Sequence, residues 1–191
     1  MGKLVVEMTM SLDGFISGPD VRVGQPLGLG GERLHEWLFS PDNDVDREAT
    51  AAIFDTSGAV LMGRRVYDTI EGWGDEDPFG RPCFVVTQRA HEVRVRGATT
   101  YTFVTDGIAN ALEQARAAAG EKDVTIMGGA DLAQQFIEGG LVDELRIHVA
   151  PVLFGAGTRL FDLVATGQAG LELTRCSSSP KAAHLRFAFR R

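Results

Sequence analysis

The sequence predicts a single α/β domain built on a mostly parallel central sheet, with helices on both faces and antiparallel strands at its C-terminal end. Short apolar runs alternate with segments of helical periodicity through most of the chain, the pattern of strands joined by crossover helices. Glycine recurs just beyond predicted strands, at Gly63 and at Gly128 and Gly129, where parallel sheets collect ligands at their carboxyl ends. After Gly140 the helical pattern stops and strand-like runs follow one another.

Taken in order, Lys3 to Met10 is apolar on both faces and predicts a strand in the middle of the sheet. Ser11 to Gly31 is too rich in glycine and proline for regular structure and too long for an ordinary connection, which marks a functional or mobile loop. Glu32 to Phe39 spaces Leu34, Trp37 and Leu38 at helical intervals. After Pro41, Asp44 to Phe54 predicts a second helix with acidic residues in its first turn. Gly58 to Met62 is a buried strand, and Gly63, Arg64 and Arg65 open a short helix containing Val66, Tyr67 and Ile70. Pro82 to Thr87 and Tyr101 to Val104 are strands, and Ile108 to Ala119 is an alanine-rich helix. Val124 to Met127 leads into the double glycine and the helix Asp131 to Glu138. Glu144 to Ala150, Leu171 to Ser177 and His184 to Arg190 then complete the antiparallel finish.

The chain's 191 residues, 44% hydrophobic and 24% charged, suit one domain that buries its own core. A net charge of −7 argues against a general nucleic-acid or anionic-membrane surface while leaving room for a local basic pocket. Cys83 and Cys176 lie far apart in predicted strands. They suggest neither a disulfide framework nor a metal site, and are expected as buried or half-buried thiols. The segment MGKLVVEMTM passes directly into a strand pattern, and no run approaches about 18 apolar residues, so a soluble cytoplasmic protein is expected.

The stretch from Asp123 to Phe136 carries the clearest binding geometry: strand, double glycine, helix start. The first N–H groups of a helix lack partners and sit at the positive end of its dipole, and glycine lets an anion approach the main chain. The other reading of the glycine pair is a tight turn and nothing more.

The motifs SLDGFISG, LMGRRVYDT, VVTQR, TIMGGADLAQQF and LVDELRIHVAPVLFGAG, in this order, resemble the dihydrofolate reductase-like superfamily. More closely, they resemble stand-alone relatives of the reductase domain of riboflavin-biosynthesis deaminase-reductases. The resemblance spans nearly the whole chain. It implies a dihydrofolate reductase-like fold and NADPH-dependent hydride transfer to a small heteroaromatic or pyrimidine-like substrate. The family-level expectation is a 5-amino-6-(5-phosphoribosylamino)uracil reductase, homodimeric through its C-terminal strands. The alternative is a nucleotide-binding dimer without significant turnover.

Carried onto this chain, the resemblance assigns Met127, Gly128, Gly129, Ala130, Asp131 and Leu132 to the cofactor pyrophosphate. Gly63, Arg64 and Arg65 match the second phosphate-facing helix start, where a cation selects the 2′-phosphate of NADPH; Thr87, Gln88 and Arg89 match the adenine-ribose strand end. Thr9, Ser11, Ile16 and Gly18 match the strand end and flexible loop beside the nicotinamide. Asp13 in that loop is either a catalytic carboxylate or the support of the turn before Gly14. The chain departs from its relatives at Val66, where a threonine is common, and at Leu34, where folate reductases present a carboxylate. It departs again at Glu7 and Met127, which replace a lysine and a glutamate of the riboflavin-type enzymes.

Strand alternation places Glu7, Thr9 and Ser11 on one face, and the resemblance directs His148 of ELRIHVA to the same pocket. One reading makes Glu7 and His148 a catalytic carboxylate–imidazole pair. The other puts Glu7 at the sheet margin, reaching water.

Overall fold

Strand β1 (Leu4–Ser11) is buried along almost its whole length because it lies at the centre of the sheet, flanked on both sides by parallel neighbours. The computed structural model describes residues 2–70, 79–162 and 170–190. In chain order the elements are β1, β2 (Phe15–Ser17), a 3-10 turn (Gly31–His35), α1 (Glu36–Phe39), α2 (Asp44–Thr56), β3 (Ser57–Gly63) and α3 (Arg64–Ile70). They continue with β4 (Cys83–Val86), β5 (Arg94–Arg96), β6 (Thr99–Val104), α4 (Ile108–Ala119), β7 (Asp123–Ile126) and α5 (Ala130–Glu138). Strands β8 (Glu144–Ala150), β9 (Thr158–Arg159), β10 (Leu171–Ser178) and β11 (Ala183–Phe189) complete the fold.

Nine strands form one sheet in the order β10-β11-β8-β1-β7-β3-β4-β6-β5. The run from β8 to β6 is parallel, and antiparallel pairing is confined to β10 and β11 on one side and β5 on the other. The predicted antiparallel finish therefore begins one strand late: β8 runs parallel to β1, and only β11 reverses. The edge strand β5 went unpredicted because three residues, two of them arginine, carry no apolar pattern.

Period-two alternation sorts the core into two faces. Leu4, Val6 and Met8 join Ala59, Leu61, Val124, Ile126 and Leu145 beneath α4 and α5, which contribute Ala111, Leu112, Ala115, Leu132 and Phe136. Burial of such side chains is worth about 1.5–3 kcal/mol each. The opposite face holds two smaller clusters, Val60, Met62, Tyr67 and Tyr101 under α3, and Trp37, Ile53 and Ala182 under α1 and α2. Helices thus cover both faces.

Three local expectations change. The region from Ser11 to Gly31 contains β2, which pairs with β9. The predicted helix over 32–39 opens as a 3-10 turn, with only Glu36–Phe39 α-helical. Cys83 is buried as expected, but Cys176 is exposed, because the edge strand β10 is exposed along nearly its whole length. Among the described residues no helix is long and apolar enough to cross a membrane.

Candidate functional site

Strands β7, β3 and β4 are neighbours, so the glycine-bearing ends the sequence singled out lie side by side. Gly63 N–H donates to the Gly128 carbonyl at 3.0 Å, and Met127 N–H donates to Leu61 at 3.2 Å. The β3–β4 register sets Gly63 against Val86, so α3 and the segment from Thr87 leave the sheet from paired strand ends. The segments 63–65, 87–89 and 127–132 therefore form one contiguous rim.

The double glycine has geometry that a side chain would spoil. The Gly128–Gly129 peptide is cis and Gly128 has φ +140°, a region that L side chains rarely adopt. Gly129 is the N-cap of α5 and makes no side-chain cap bond, so the N–H groups of Ala130, Asp131 and Leu132 keep their intrahelical deficit. A Cβ on Gly63 would meet nothing closer than Gly129 N at 3.8 Å, and one on Gly129 would come within 3.4 Å of Val66 Cγ2. Uncapped donors with open main chain beside them fit a phosphate group. The Asp131 side chain is exposed in the first turn, where it complements the dipole and would repel an anion; what Asp131 offers a phosphate is its N–H.

The cations of the rim differ in freedom. Arg64 Nε donates to Asp68 at 2.6 Å, and its guanidinium lies 5.7 Å from the ring centres of Tyr67 and of Phe103. Arg65, Gln88 and Arg89 are exposed; the Arg89 N–H donates to Thr87 Oγ1 at 3.2 Å. Arg64 is thus a braced cation, and Arg65 and Arg89 are free to reorient.

The loop after β1 is fastened rather than loose. Ser11 Oγ donates to Asp13 Oδ1 at 2.6 Å and accepts from Phe15 N–H at 2.9 Å. Asp13 also accepts from the N–H groups of Gly155 at 2.7 Å and Phe154 at 3.1 Å. The Ser11 hydroxyl first, then these two amides, outweigh desolvation and hold the Asp13 carboxyl down to about 2. A carboxylate so engaged ties the loop to the segment after β8, as the turn-supporting reading of Asp13 expects. Gly18 is likewise a packing residue, since a Cβ there would lie 2.1 Å from the Leu29 carbonyl oxygen; Ile16 packs against the core. Thr9 turns its hydroxyl to Trp37, whose Nε1–H reaches it at 3.3 Å.

Beneath Trp37 lies a buried charged row. Glu7 Oε1 is 2.6 Å from His148 Nε2, His148 Nδ1 is 2.7 Å from His184 Nδ1, and His184 Nε2 is 2.9 Å from Asp46 Oδ1. On the other side, Arg146 Nη1 lies 3.6 Å from Glu7 Oε2. Arg146 also donates to Glu144 at 2.5 Å, Asp123 at 3.0 Å and Thr56 at 3.0 Å. Glu7 and His148 are 7% and 5% exposed, so Glu7 does not reach water at a sheet margin. The Trp37 ring, itself buried, packs on His148 with centroids 4.2 Å apart. The carboxylate–imidazole pair expected from the sequence is thus formed, in a buried setting. A cavity of about 20 Å3, room for one water, adjoins Glu7, Arg146, His148 and His184 under α2; Glu7 Oε2 has no hydrogen-bond partner.

Burial sets the protonation of this region. Burial would raise Asp46 and Glu144, but hydrogen bonds outweigh it, chiefly from His184 to Asp46 and from Lys3 and Arg146 to Glu144, so both carboxyls sit below their ordinary range. Burial lowers His184, against the pull of Asp46. His35, whose Nδ1 is buried without a partner, is pushed down to about 4 by burial and by His148. A histidine depressed in the folded state favours folding above its ordinary pKa of 6.5 and loses that contribution as pH falls towards about 4. We expect roughly 3 kcal/mol to be lost from His35 across that window, with His184 adding to the same slope. Urea titrations at pH 7 and pH 5 should show a smaller difference in His35→Phe than in the parent; an equal difference would remove His35 from this account.

The missed residues, Arg146, His184 and Asp46, had a partial signal. Glu144, Arg146 and His148 alternate on one face of ELRIHVA, a polar face that a central strand tolerates only if it is internally paired. Asp46 looked like an ordinary first-turn acid complementing a helix dipole.

The family model of the RibD C-terminal domain matches residues 2–185. The chain belongs to the RibD C-terminal domain family. It is 28% identical over 162 residues to the riboflavin biosynthesis protein RibD of Corynebacterium ammoniagenes, covering 81% of this chain and 44% of that protein. A Shewanella sp. PV-4 protein provisionally ascribed to riboflavin biosynthesis superposes with a TM-score of 0.77 over 99% of each chain, at 20% identity. Dihydrofolate reductase from Enterococcus faecalis, complexed with NADP(H), superposes with a TM-score of 0.60 over 100% of this chain and 98% of that one, at 15% identity. For this RibD C-terminal family member the dihydrofolate reductase-like fold is therefore shown.

Proposed function

We propose that the protein is an NADPH-dependent reductase that transfers hydride to a small heteroaromatic or pyrimidine-like substrate. The reading closest to its relatives is reduction of 5-amino-6-(5-phosphoribosylamino)uracil. The observation that carries the proposal is the contiguous rim at the ends of β3, β4 and β7, with uncapped helix donors at one end and arginines at the other.

NADPH, when bound, supplies the hydride. The N–H groups of Ala130, Asp131 and Leu132 would hold its pyrophosphate, and Arg64, Arg65 and Arg89 its 2′-phosphate. The fastened loop from Ser11 to Gly18 supports the neighbouring end of β1, where Thr9 is held by the buried Trp37. The buried row packs against Trp37 and fixes its ring.

A charge-assisted contact is worth roughly 1.5–3 kcal/mol, so removing the main arginine should weaken NADPH by about one to two orders of magnitude. NADH, which lacks the 2′-phosphate, should be barely affected. Titrating Arg64→Ala, Arg65→Ala and Arg89→Ala with both cofactors tests this. Equal losses for NADPH and NADH in all three variants would refute the assignment.

A further inference from the structure

Three hydrogen bonds join four titratable groups in one row, Asp46–His184–His148–Glu7. Each bond needs one proton, yet two ionised carboxylates and two neutral imidazoles bring only two. One gap would stay empty. If both outer bonds were made, the Nδ1 lone pairs of His148 and His184 would face each other at 2.7 Å in a nearly dry interior. We infer that the row holds one proton beyond its ordinary complement, carried by a doubly protonated His148 beneath Trp37, with Asp46 and His184 as the residues that position this cation. The inference goes beyond the reductase reading and does not rest on it.

Geometry assigns each proton. Arg146 Nη1, 3.6 Å from Glu7 Oε2, favours an ionised Glu7, so the proton of that gap sits on His148 Nε2. Asp46 accepts from the Asn43 side chain at 2.6 Å as well as from His184, so it too is an acceptor and His184 Nε2 is the donor. The middle proton falls to His148 Nδ1, because the face of Trp37 lies 4.2 Å from His148 at a 32° tilt, within cation–π range, whereas His184 meets Trp37 by an edge. The lowered affinity of His184 for a second proton agrees.

The groups that face His148 are Glu7 from β1, Arg146 from its own strand, His184 from β11, Asp46 from α2 behind His184, and His35 from the 3-10 turn. The two carboxylates favour the cation. Arg146 opposes it but is itself held by Glu144 and Asp123, and His35 stays neutral. When rising pH removes the third proton, the His148–His184 bond opens and Trp37 loses its charged floor.

The test is imidazole ¹⁵N NMR on the full chain near pH 7, with no cofactor or substrate present. The protein has four histidines, and the exposed His91 is removed from the spectrum by His91→Asn. We expect one ring with both nitrogens protonated and a nitrogen–nitrogen coupling across the His148–His184 bond. In Asp46→Asn the amide can donate to His184 Nε2, so the ordinary two histidine protons and the amide proton fill all three gaps. That variant should lose one ring proton while keeping the coupling, and the parent's alkaline change in tryptophan emission should vanish. A neutral His148 in the parent, or an unchanged proton count in Asp46→Asn, would overturn the inference. A doubly protonated His148 in a protein that never oxidises NADPH would instead remove the reductase reading and leave the proton assignment standing.

Discussion

Arg146→Met should cost about 3–5 kcal/mol of stability, because it strips the partner from carboxylates that folding has already desolvated. The guanidinium reaches Glu144 at 2.5 Å, Asp123 at 3.0 Å and Glu7 at 3.6 Å, and those side chains are only 9%, 15% and 5% exposed. Lys3 holds the second Glu144 oxygen at 2.7 Å but its side chain is 59% exposed, and its backbone N–H donates to Asp123 at 2.9 Å. The sign with pH follows from Glu144, whose lowered carboxyl favours folding above its ordinary 4.5 and ceases to do so as pH falls through the depressed value. The variant's deficit should therefore be largest near neutrality and shrink in acid. Adding Glu7→Gln and Glu144→Gln should restore part of the loss, since it removes the orphaned charges. Urea unfolding of the single and triple variants at pH 7 and again at about pH 3.5 measures this; a deficit at pH 7 under about 1 kcal/mol would mean that the network carries no structural weight.

The second large effect concerns binding. Gly129→Val should abolish NADPH binding, at least about 100-fold or ~2.8 kcal/mol, while leaving the protein folded. Gly129 has φ −91° and ψ −170°, an extended conformation open to valine, so the backbone accepts the change. The new side chain would stand in front of the uncapped N–H groups of α5, pressed outward by Val66 3.4 Å from its Cβ. Gly128→Val is the contrasting variant, with φ +140° and Val66 Cγ2 at 3.1 Å, and it should lose stability as well as binding. Thermal melts alongside cofactor titrations separate the two. A folded Gly129→Val with parental NADPH affinity would reduce the double glycine to a turn.

The parts of the fold that depend on local pattern were legible in the sequence. The central position of β1, the glycines at strand ends and the alanine-rich α4 each follow from periodicity or from the needs of a βα turn. The parallel direction of β8 was not legible, because a strand's direction is set by the neighbour it finds rather than by its own residues. In the site, the segments 63–65, 87–89 and 127–132 were anticipated and are adjacent, whereas Asp13 and Gly18 proved to be occupied with holding their own loop. Contacts such as Asp13 to Gly155, far apart in the chain, leave no mark on a local pattern. The same is true of the buried row: alternation set the face of Glu7 and the resemblance brought His148 to it, but Asp46 arrives from a helix and His184 from a strand distant in sequence. A sequence reading names the acid and the base; the fold decides which of them face a ligand and which brace each other.

The central claim, hydride transfer from NADPH to a pyrimidine-like substrate, is tested most directly by following the hydride itself. The protein would be incubated with NADPH carrying deuterium at both C4 positions and with 5-amino-6-(5-phosphoribosylamino)uracil, in parallel with a panel of pteridines, related ribityl pyrimidines and quinones. Product mass is then read against NADPH consumed. The account expects one deuterium in a pyrimidine-type product for each NADPH oxidised, with NADH markedly poorer as donor. Tight NADPH binding with no deuterium transferred to any member of the panel would contradict it, and would favour a nucleotide-binding protein without significant turnover.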